Sequence, residues 1–285
     1  MHPSLRCCVL LVLAACAATS NARNHAPTET ISFETHEGTT LAFDIAPDDS
    51  SIVFDLLGQL WTLPANGGPA RAVTDAVRDT AEDLDPSISP DGRSVVFRAE
   101  RHGRTGLWLL DLASDGVRQL TQLDRADEYH GGATWSPDGR AIAFTRVAPD
   151  SGTGRWRSRI RILDVSSGKA RDVALDSTQK LQMRDPAWTP DGRRIAFVAA
   201  SPANPRGGRI WIVDANGGRA TALFADSATA IAPSFTPDGE RIAFLAPDSS
   251  DRLQVWVREL SDTRANRPAR LSSNADVAST RVRWT

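Results

Sequence analysis

Cysteine is nearly absent from this chain of 285 residues, and its three copies, Cys7, Cys8 and Cys16, all lie near the N-terminus. The rest of the sequence therefore has no thiol for a disulfide, a thiolate metal site or a cysteine nucleophile. A domain that folds without disulfides needs a hydrophobic core large enough to stabilise it. A hydrophobic content of 41% is normal for such a soluble globular protein.

Lysine is similarly scarce, because Lys169 and Lys180 are the only two lysines among 33 basic residues. The arginines are scattered along the chain, and the formal net charge is −2. A basic stripe is the usual electrostatic sign of nucleic-acid binding or of an anionic membrane surface. We therefore expect no nucleic-acid partner, and membrane contact only through a lipid anchor.

Signatures of catalysis are also lacking. The sequence contains no G-x-S-x-G elbow, no Walker loop and no H-E-x-x-H motif. None of the five histidines stands at metal-ligand spacing from another. The expectation is a chain that is not itself an enzyme and that has no catalytic, cofactor-binding or metal-binding residue.

The first 22 residues have the features of an export signal. A short apolar run from Cys7 to Ala15 has the length of a signal-peptide core and is too short to span a bilayer as a helix. Leu13 to Cys16 resembles a lipobox, which predicts lipidation of Cys16, and cleavage after Ala22 is the alternative. Residues 23–30 are interpreted as a linker. We predict an exported bacterial protein, either periplasmic or anchored in the membrane as a lipoprotein.

The remainder, 31–285, contains a repeat. Its motif begins with an apolar residue, continues with Ser, Thr or Ala and then Pro-Asp-Gly, and leads to an apolar triplet that ends in Phe. Successive copies are separated by 43, 47, 53 and 47 residues, counted between the motif prolines Pro47, Pro90, Pro137, Pro190 and Pro237. In the first copy Asp49 replaces the glycine, and aspartate is among the residues that tolerate a left-handed backbone.

Each repeat predicts two β-hairpins. Pro-Asp-Gly closes the first hairpin, and Asn-Gly, Asp-Gly or Ser-Gly closes most of the second ones, as Asn66-Gly67 illustrates. Four short strands in each unit of about 40–50 residues are typical of a β-propeller. The predicted fold class is all-β: a β-propeller of four-stranded blades, with about five complete blades and the start of a sixth.

Tryptophan recurs at fixed repeat positions. Trp61, Trp108, Trp211 and Trp256 share one position, and Trp135, Trp188 and Trp284 share another, which predicts packing between blades rather than ligand stacking.

The final residues Arg283-Trp284-Thr285 align with the start of a repeat. Since an open hairpin exposes an unpaired strand edge, the propeller is expected to be truncated at its C-terminus. Ile31 to Phe33 is the expected closing strand.

The segment most typical of a binding site precedes the third repeat, where Asp127, Glu128, Tyr129 and His130 stand together. Loops at the rims of propellers often carry binding groups. A polar connecting loop is the alternative interpretation.

Over residues 40–275 the repeat resembles the PD40, or TolB-like, subgroup of WD40-like β-propellers. The resemblance is carried by the recurring motif W-[ST]-P-D-G-x-x-I-A-F, which is followed by I-W-x-x-D. This resemblance implies the fold more than a function, because such blades occur in several settings. They form the binding propeller of TolB in the cell envelope, and they precede the hydrolase domain of prolyl-oligopeptidase-type peptidases.

The first blade is also similar to the start of exported bacterial proteins in which TolB-like blades precede a metal-dependent amidohydrolase. The resemblance rests on Ile31–Thr35, Glu37–Thr39 and Ile52–Pro64. It implies an exported binding or scaffold module at the N-terminus of a longer protein, with a protein partner or a further domain of its own. The alternatives are a free-standing TolB-like periplasmic propeller that binds proteins and the propeller of a prolyl-oligopeptidase-type peptidase. A divalent metal such as zinc would belong to that further domain, because the family's His-x-His pair does not occur here.

Overall fold

Every strand in the structure follows the repeat. The computed structural model describes residues 41–75, 81–101, 103–201, 204–224, 229–261 and 268–272, together with Trp284. Within these ranges the secondary structure is entirely strand and turn, and no helix there is long and apolar enough to cross a membrane. The strands are β1 (Phe43–Ile45), β2 (Ser51–Leu56), β3 (Gln59–Pro64), β4 (Arg71–Ala72), β5 (Glu82–Ile88), β6 (Ser94–Arg101), β7 (Arg104–Asp111), β8 (Gly116–Gln119), β9 (Tyr129–Trp135), β10 (Ala141–Pro149), β11 (Trp156–Asp164), β12 (Ala170–Asp172), β13 (Gln182–Trp188), β14 (Arg194–Ser201), β15 (Asn204–Asp214), β16 (Thr221–Ala222), β17 (Ile231–Phe235), β18 (Arg241–Pro247), β19 (Leu253–Glu259) and β20 (Ala269–Arg270).

Each consecutive group of four strands forms one antiparallel blade, numbered 1 to 5 along the chain. Blades 2 and 3 are joined into one continuous sheet by a single parallel pairing between Thr105 in β7 and Tyr129 in β9. The fourth strand of each blade is short, because β4, β16 and β20 contain two residues each. The predicted all-β propeller of four-stranded blades is confirmed, with return strands shorter than the sequence pattern indicates.

The Pro-Asp-Gly turns adopt the predicted geometry. Gly139 has a φ of 70° and donates its N–H to the carbonyl of Ser136 at 2.9 Å. Asp138 accepts hydrogen bonds from the Ser136 hydroxyl at 2.6 Å and the Arg140 N–H at 3.1 Å, and these bonds lower its pKa. In blade 1, Asp49 takes the glycine's place with a φ of 57°.

These turns define one end of the propeller. A Cβ on Gly92 would meet Pro47 of the preceding turn, and the same contact recurs from Gly139 to Pro90 and from Gly192 to Pro137. The turns therefore stack on one another around the ring, and we call this side the turn end. Since each blade is an antiparallel meander, the hairpins that join its second and third strands lie at the opposite side, which we call the hairpin end.

The core lies between blades. Strand β6 alternates, with Val95 and Phe97 packed toward blade 1 and Val96 packed toward blade 3. Both faces of the strand are thereby buried, as a strand between two sheets requires. Blade 1 differs, because Ile52 and Phe54, at the positions of Val95 and Phe97, are half-buried.

The repeated tryptophans pack at the margins of these cores. In register, Phe54 faces Trp61 and Phe97 faces Trp108, whereas in blade 3 Phe144 faces Arg161. Three tryptophans that face a motif Phe pack against the interblade clusters: Trp108, Trp211 and Trp256. Trp188, which faces Ile195, also packs against one of these clusters. The predicted packing role is confirmed for these side chains.

Trp284 repeats a contact made inside the propeller. Its indole N–H donates to the carbonyl of Ser234 at 3.1 Å, as that of Trp135 donates to the carbonyl of Ser87 at 2.9 Å. Trp284 thus contacts blade 5 as blade 3 contacts blade 2.

The predicted signal, the linker, Cys16 and the strand Ile31 to Phe33 lie outside the described residues.

Candidate functional site

The four residues of the predicted loop separate into three environments. Asp127 is exposed and pairs with Arg125, with an Nε–Oδ1 distance of 2.9 Å. Glu128 and His130 are 4% and 1% exposed, respectively. Tyr129 is half-buried and begins strand β9. Because successive side chains of a strand point to opposite faces, Tyr129 lies on one face of β9 and His130 on the other.

Glu128 is the acceptor of a buried ion-pair network. Arg146 donates to it through both Nε and Nη2, at 2.5 and 2.8 Å, and His130 Nε2 lies 2.6 Å from its Oε1. Burial opposes the charge of Glu128, but the hydrogen bonds from Arg146 and His130 outweigh it, and the pKa of Glu128 is lowered. This carboxylate stays ionised at neutral pH and joins β9 to β10.

Burial also lowers the pKa of His130, although the bond to Glu128 acts in the opposite direction. The neutral ring donates from Nε2 to Glu128, which leaves Nδ1 as an acceptor. That atom has no hydrogen-bond partner among the described residues, and the ring edge packs on Phe144 at 4.9 Å between centroids. Glu128 and His130 are thus engaged with each other and with Arg146, away from solvent.

Tyr129 extends in another direction, toward the axis of the propeller. Its ring lies over Gly131, where any larger residue would collide with it. The guanidinium of Arg98 is 5.7 Å from the ring centroid, within cation–π range. Tyr129 is the predicted site residue that reaches the central cavity.

The central cavity has a volume of about 400 Å³ and is bounded by the innermost strands β5, β9, β13 and β17. Its aromatic walls include Trp135, Trp188 and Phe235, and Arg98 and Tyr129 line one side. This volume lies within the range of ordinary ligand pockets, about 300–1,000 Å³. The cavity thus has the size and the lining of a binding site.

A bulge at the same place in four inner strands shapes the cavity wall. Asp85, Gly132, Asp185 and Ala232 all have φ between 51° and 61° there. Such a conformation is uncommon for residues other than glycine, and it occurs where the surrounding structure imposes it. The repetition of the bulge indicates a rigid wall with the same backbone geometry in each blade.

The charges of the cavity are held in place by blade 1. Asp85 accepts from Arg98 Nε at 2.9 Å, and the Asp85 N–H donates to Asp55 at 2.8 Å. Burial disfavours the Arg98 charge, but Tyr129 and Asp85 outweigh this effect, and the pKa of Arg98 is raised. The guanidinium is therefore a permanent, oriented cation at the cavity wall.

Sequence reasoning missed Arg98, Asp85 and Asp185. A signal for the two aspartates exists, because Asp85-Pro86 and Asp185-Pro186 both stand four residues before a motif proline. No comparable signal marks Arg98, since the other blades have different residues at its position. Within the described ranges, no group of three or more His, Cys, Asp or Glu side chains is arranged to hold a metal.

Residues 133–281 match the family model of the PD40 TolB β-propeller domain. The chain belongs to this family. The match covers about half of the sequence and begins inside the third blade. The predicted resemblance to PD40 and TolB-like propellers is confirmed.

Relatives of this PD40 propeller include curated proteins of two kinds. A TolB homolog of Chlorobium luteolum is 27% identical over 167 residues, which cover 56% of this chain and 32% of that protein. The uncharacterized peptidase YuxL of Bacillus subtilis is 26% identical over 146 residues, which cover 40% of this chain and 21% of that protein. The chain therefore spans a third or less of the length of these two relatives.

Among solved structures, TolB from Acinetobacter baumannii superposes with a TM-score of 0.59 at 20% identity. The superposition covers 84% of this PD40 propeller and 54% of that chain. At this identity the likeness concerns the fold alone.

Proposed function

We propose that this PD40 propeller is a non-catalytic binding module, and that its central cavity holds a segment of a protein partner. The observation that supports this proposal is the polar and aromatic lining of a preformed cavity at the propeller axis. Pockets of this kind bind through apolar walls and obtain specificity from a few oriented polar groups.

The chemistry of the lining suits a peptide. Arg98 offers a cation to a carbonyl or carboxylate, and Asp85 and Asp185 place carboxylates near backbone amides of a bound segment. Trp188 and Phe235 provide apolar surface for aliphatic side chains. An extended polar peptide with one or two aliphatic residues uses all of these groups.

The absence of catalysis in this chain is part of the same proposal. Glu128 and His130 are the acidic and basic side chains of the predicted binding loop, but both are buried and hydrogen-bonded within the protein. A general base has to be within reach of the proton that it removes. We therefore expect no turnover of amide, ester or peptide substrates, with or without Zn²⁺.

Binding of a random peptide library to the purified chain tests the cavity. The double variant Arg98→Ala/Tyr129→Ala is expected to weaken selected peptides at least tenfold. A matched control is Arg118→Ala, an exposed arginine on β8 outside the cavity. Equal affinity for the double variant and the parent chain would place binding elsewhere.

The location of the protein is a separate proposal, supported by the N-terminal sequence. We propose export into the bacterial envelope with lipidation of Cys16. A Cys16→Ser variant should lose lipid labelling and leave the membrane fraction. Unchanged membrane association would contradict lipidation at this residue, and release of both forms would favour cleavage after Ala22.

The whole protein is proposed to join this propeller to a metal-dependent amidohydrolase domain, which would hold the divalent metal. The similarity of blade 1 to the start of such proteins supports this arrangement. Similarity to the peptidase YuxL over 146 residues favours a peptidase domain as the second candidate. Sequencing the native gene distinguishes them, since His-x-His marks the first domain and G-x-S-x-G the second.

A further inference from the structure

Large apolar side chains protrude at two hairpins of the hairpin end. Leu57 is 69% exposed at the tip of the β2–β3 hairpin, and Trp156 is 58% exposed at the start of β11. Leu271 is also exposed, but it occupies the repeat position of the buried Val73 and Val173, which pack toward the next blade. Leu57 and Trp156 have no such role between blades.

Leu57 is unfavourable for the fold in two respects. It has a φ of 53° beside Gly58 with a φ of 76°, which is the pattern of a type I′ turn that favours asparagine at the first position. A branched apolar residue is rare in this conformation. The turn itself is held by its backbone, because the Asp83 N–H donates to the Gly58 carbonyl at 2.9 Å.

Trp156 is presented by an ordered insertion. It belongs to the stretch that makes the third repeat the longest, and it pairs with Pro149 across the β10–β11 hairpin. Asp150 accepts hydrogen bonds from Gly152 N–H and from the backbone and hydroxyl of Thr153, which fixes the turn. The indole is therefore held in place outside the core.

The charges around the two side chains differ in sign. Glu82 and Glu100 are exposed near Leu57 and stand directly opposite each other on β5 and β6, an arrangement that destabilises a sheet. Arg155 and Arg157 flank Trp156 and carry positive charge, and Arg157 also helps to lower the pKa of Asp150 in the same hairpin. The turn conformation of Leu57 and the pairing of Glu82 with Glu100 lower stability without a structural benefit, and such features are expected at functional sites.

We propose that the hairpin end of blades 1–3 is a protein-docking surface, anchored by Leu57 and Trp156. Its occupant is a folded protein that has two apolar pockets, basic side chains opposite Glu82 and Glu100, and carboxylates opposite Arg155 and Arg157. Tryptophan and arginine are enriched in interface hot spots, and opposite patches of charge set the orientation of a partner. This surface is distinct from the central cavity.

Photo-crosslinking in the native bacterium tests the surface with the full-length gene product. A benzophenone amino acid is placed at position 57 or 156, and, as matched controls, at the exposed turn-end residues Ser114 and Ser167. The same partner protein, identified by mass spectrometry, should be captured from both hairpin-end positions and from neither control. No protein adduct, adducts from both ends, or adducts with lipid alone would overturn the proposal.

Two sets of variants distinguish loss of docking from loss of folding and from loss of binding in the central cavity. Leu57→Asn should raise Tm by about 2–4 °C and reduce the yield of the adduct from position 156 at least fivefold. Glu82→Lys/Glu100→Lys should also reduce that yield, whereas Arg98→Ala should leave it unchanged. A lower Tm for Leu57→Asn, with the adduct retained, would assign Leu57 a structural role and refute its role as an anchor.

Discussion

At the scale of single residues, the network around Glu128 combines full burial with a permanent charge. Arg146 and His130 together make three hydrogen bonds to its carboxylate. A buried charge that keeps all its partners is tolerated, whereas removing one partner leaves the others uncompensated. Glu128 therefore acts as a structural residue at the point where β9 meets β10.

Replacing Glu128 with Gln should lower the free energy of unfolding by about 2–4 kcal/mol at pH 7. Because the fold lowers the pKa of Glu128, its charge stabilises the protein above the usual value of 4.5, and this stabilisation is lost as the pH falls through the lower, folded value. Urea unfolding between pH 3 and pH 8 should show the two proteins converging in acid. The exposed Asp127→Asn change is the control and should have a much smaller effect on stability, because water screens its charge.

Gly139 illustrates the backbone requirement of the Pro-Asp-Gly turns. Its φ of 70° is left-handed, and a Cβ would lie 3.8 Å from Pro90 of the preceding turn, so the space is sufficient. Gly139→Ala should therefore destabilise the protein through the backbone alone, by about 1 kcal/mol. Gly139→Asn should cost less, since Asn tolerates this region. Equal thermal unfolding of the parent and the alanine variant would contradict this explanation.

At the scale of elements, blades are joined through the first strand of each repeat. The Trp135 N–H in β9 donates to the Ser87 carbonyl in β5, whereas the equivalent N–H of Trp188 in β13 has no hydrogen-bond partner among the described residues. The two tryptophans occupy the same repeat position and differ in this bond. They form an internal pair for measuring its value.

Trp135→Phe should destabilise the protein more than Trp188→Phe, by about 1 kcal/mol, because only the first change removes an indole hydrogen bond. Chemical denaturation of both single variants and the double variant measures this difference. Additive effects are expected, since each indole packs in its own interblade cluster. A larger loss for Trp188→Phe would show that packing, and not the hydrogen bond, decides the cost.

At the scale of the whole molecule, the blades are unequally supported. Val95, Ile142, Ile195 and Ile242 are fully buried against the preceding blade, whereas Ile52 at the same position in blade 1 is half-buried. In a repeat protein, stability is approximately a sum of units and of interfaces between neighbours. Blade 1 should therefore open more readily than blades 2 to 4.

Hydrogen exchange measured by mass spectrometry should show faster exchange in β2 than in β6, β10 and β14. The difference is expected because local opening exposes less apolar surface where burial is already incomplete. Uniform protection of all these strands would indicate that the propeller opens as one cooperative unit. Peptides from β7 and β9 provide an internal reference, since these strands are joined within one continuous sheet.

The repeat was predictable because its information is local. Proline, aspartate and glycine at fixed offsets determine a turn through their own backbone preferences and side-chain bonds. The alternation on both sides of that turn then indicates buried strands. Phe97 faces Trp108 in blade 2, and Phe144 faces Arg161 at the same repeat position in blade 3. These pairings follow because the two strands of each hairpin are equal in length.

The candidate site was predictable only in part. Asp127 to His130 was selected as one polar loop, but the beginning of β9 sends Tyr129 to the cavity and buries Glu128 and His130 beside Arg146. The sequence could not show this division, because Arg146 lies eighteen residues away and its role depends on the register of β9 with β10.

The sequence by itself determined the blades, their turns and their number within the described chain, because each blade depends on contacts between residues close in the chain. The tertiary structure alone decided which polar groups meet at the axis and which apolar groups remain exposed. Arg98, Asp85 and Tyr129 come from different strands, and the packing of blade 2 against blade 3 brings them to one cavity wall. Leu57 and Trp156 are ordinary apolar residues in the sequence, and only the arrangement of blades leaves them exposed at the same end.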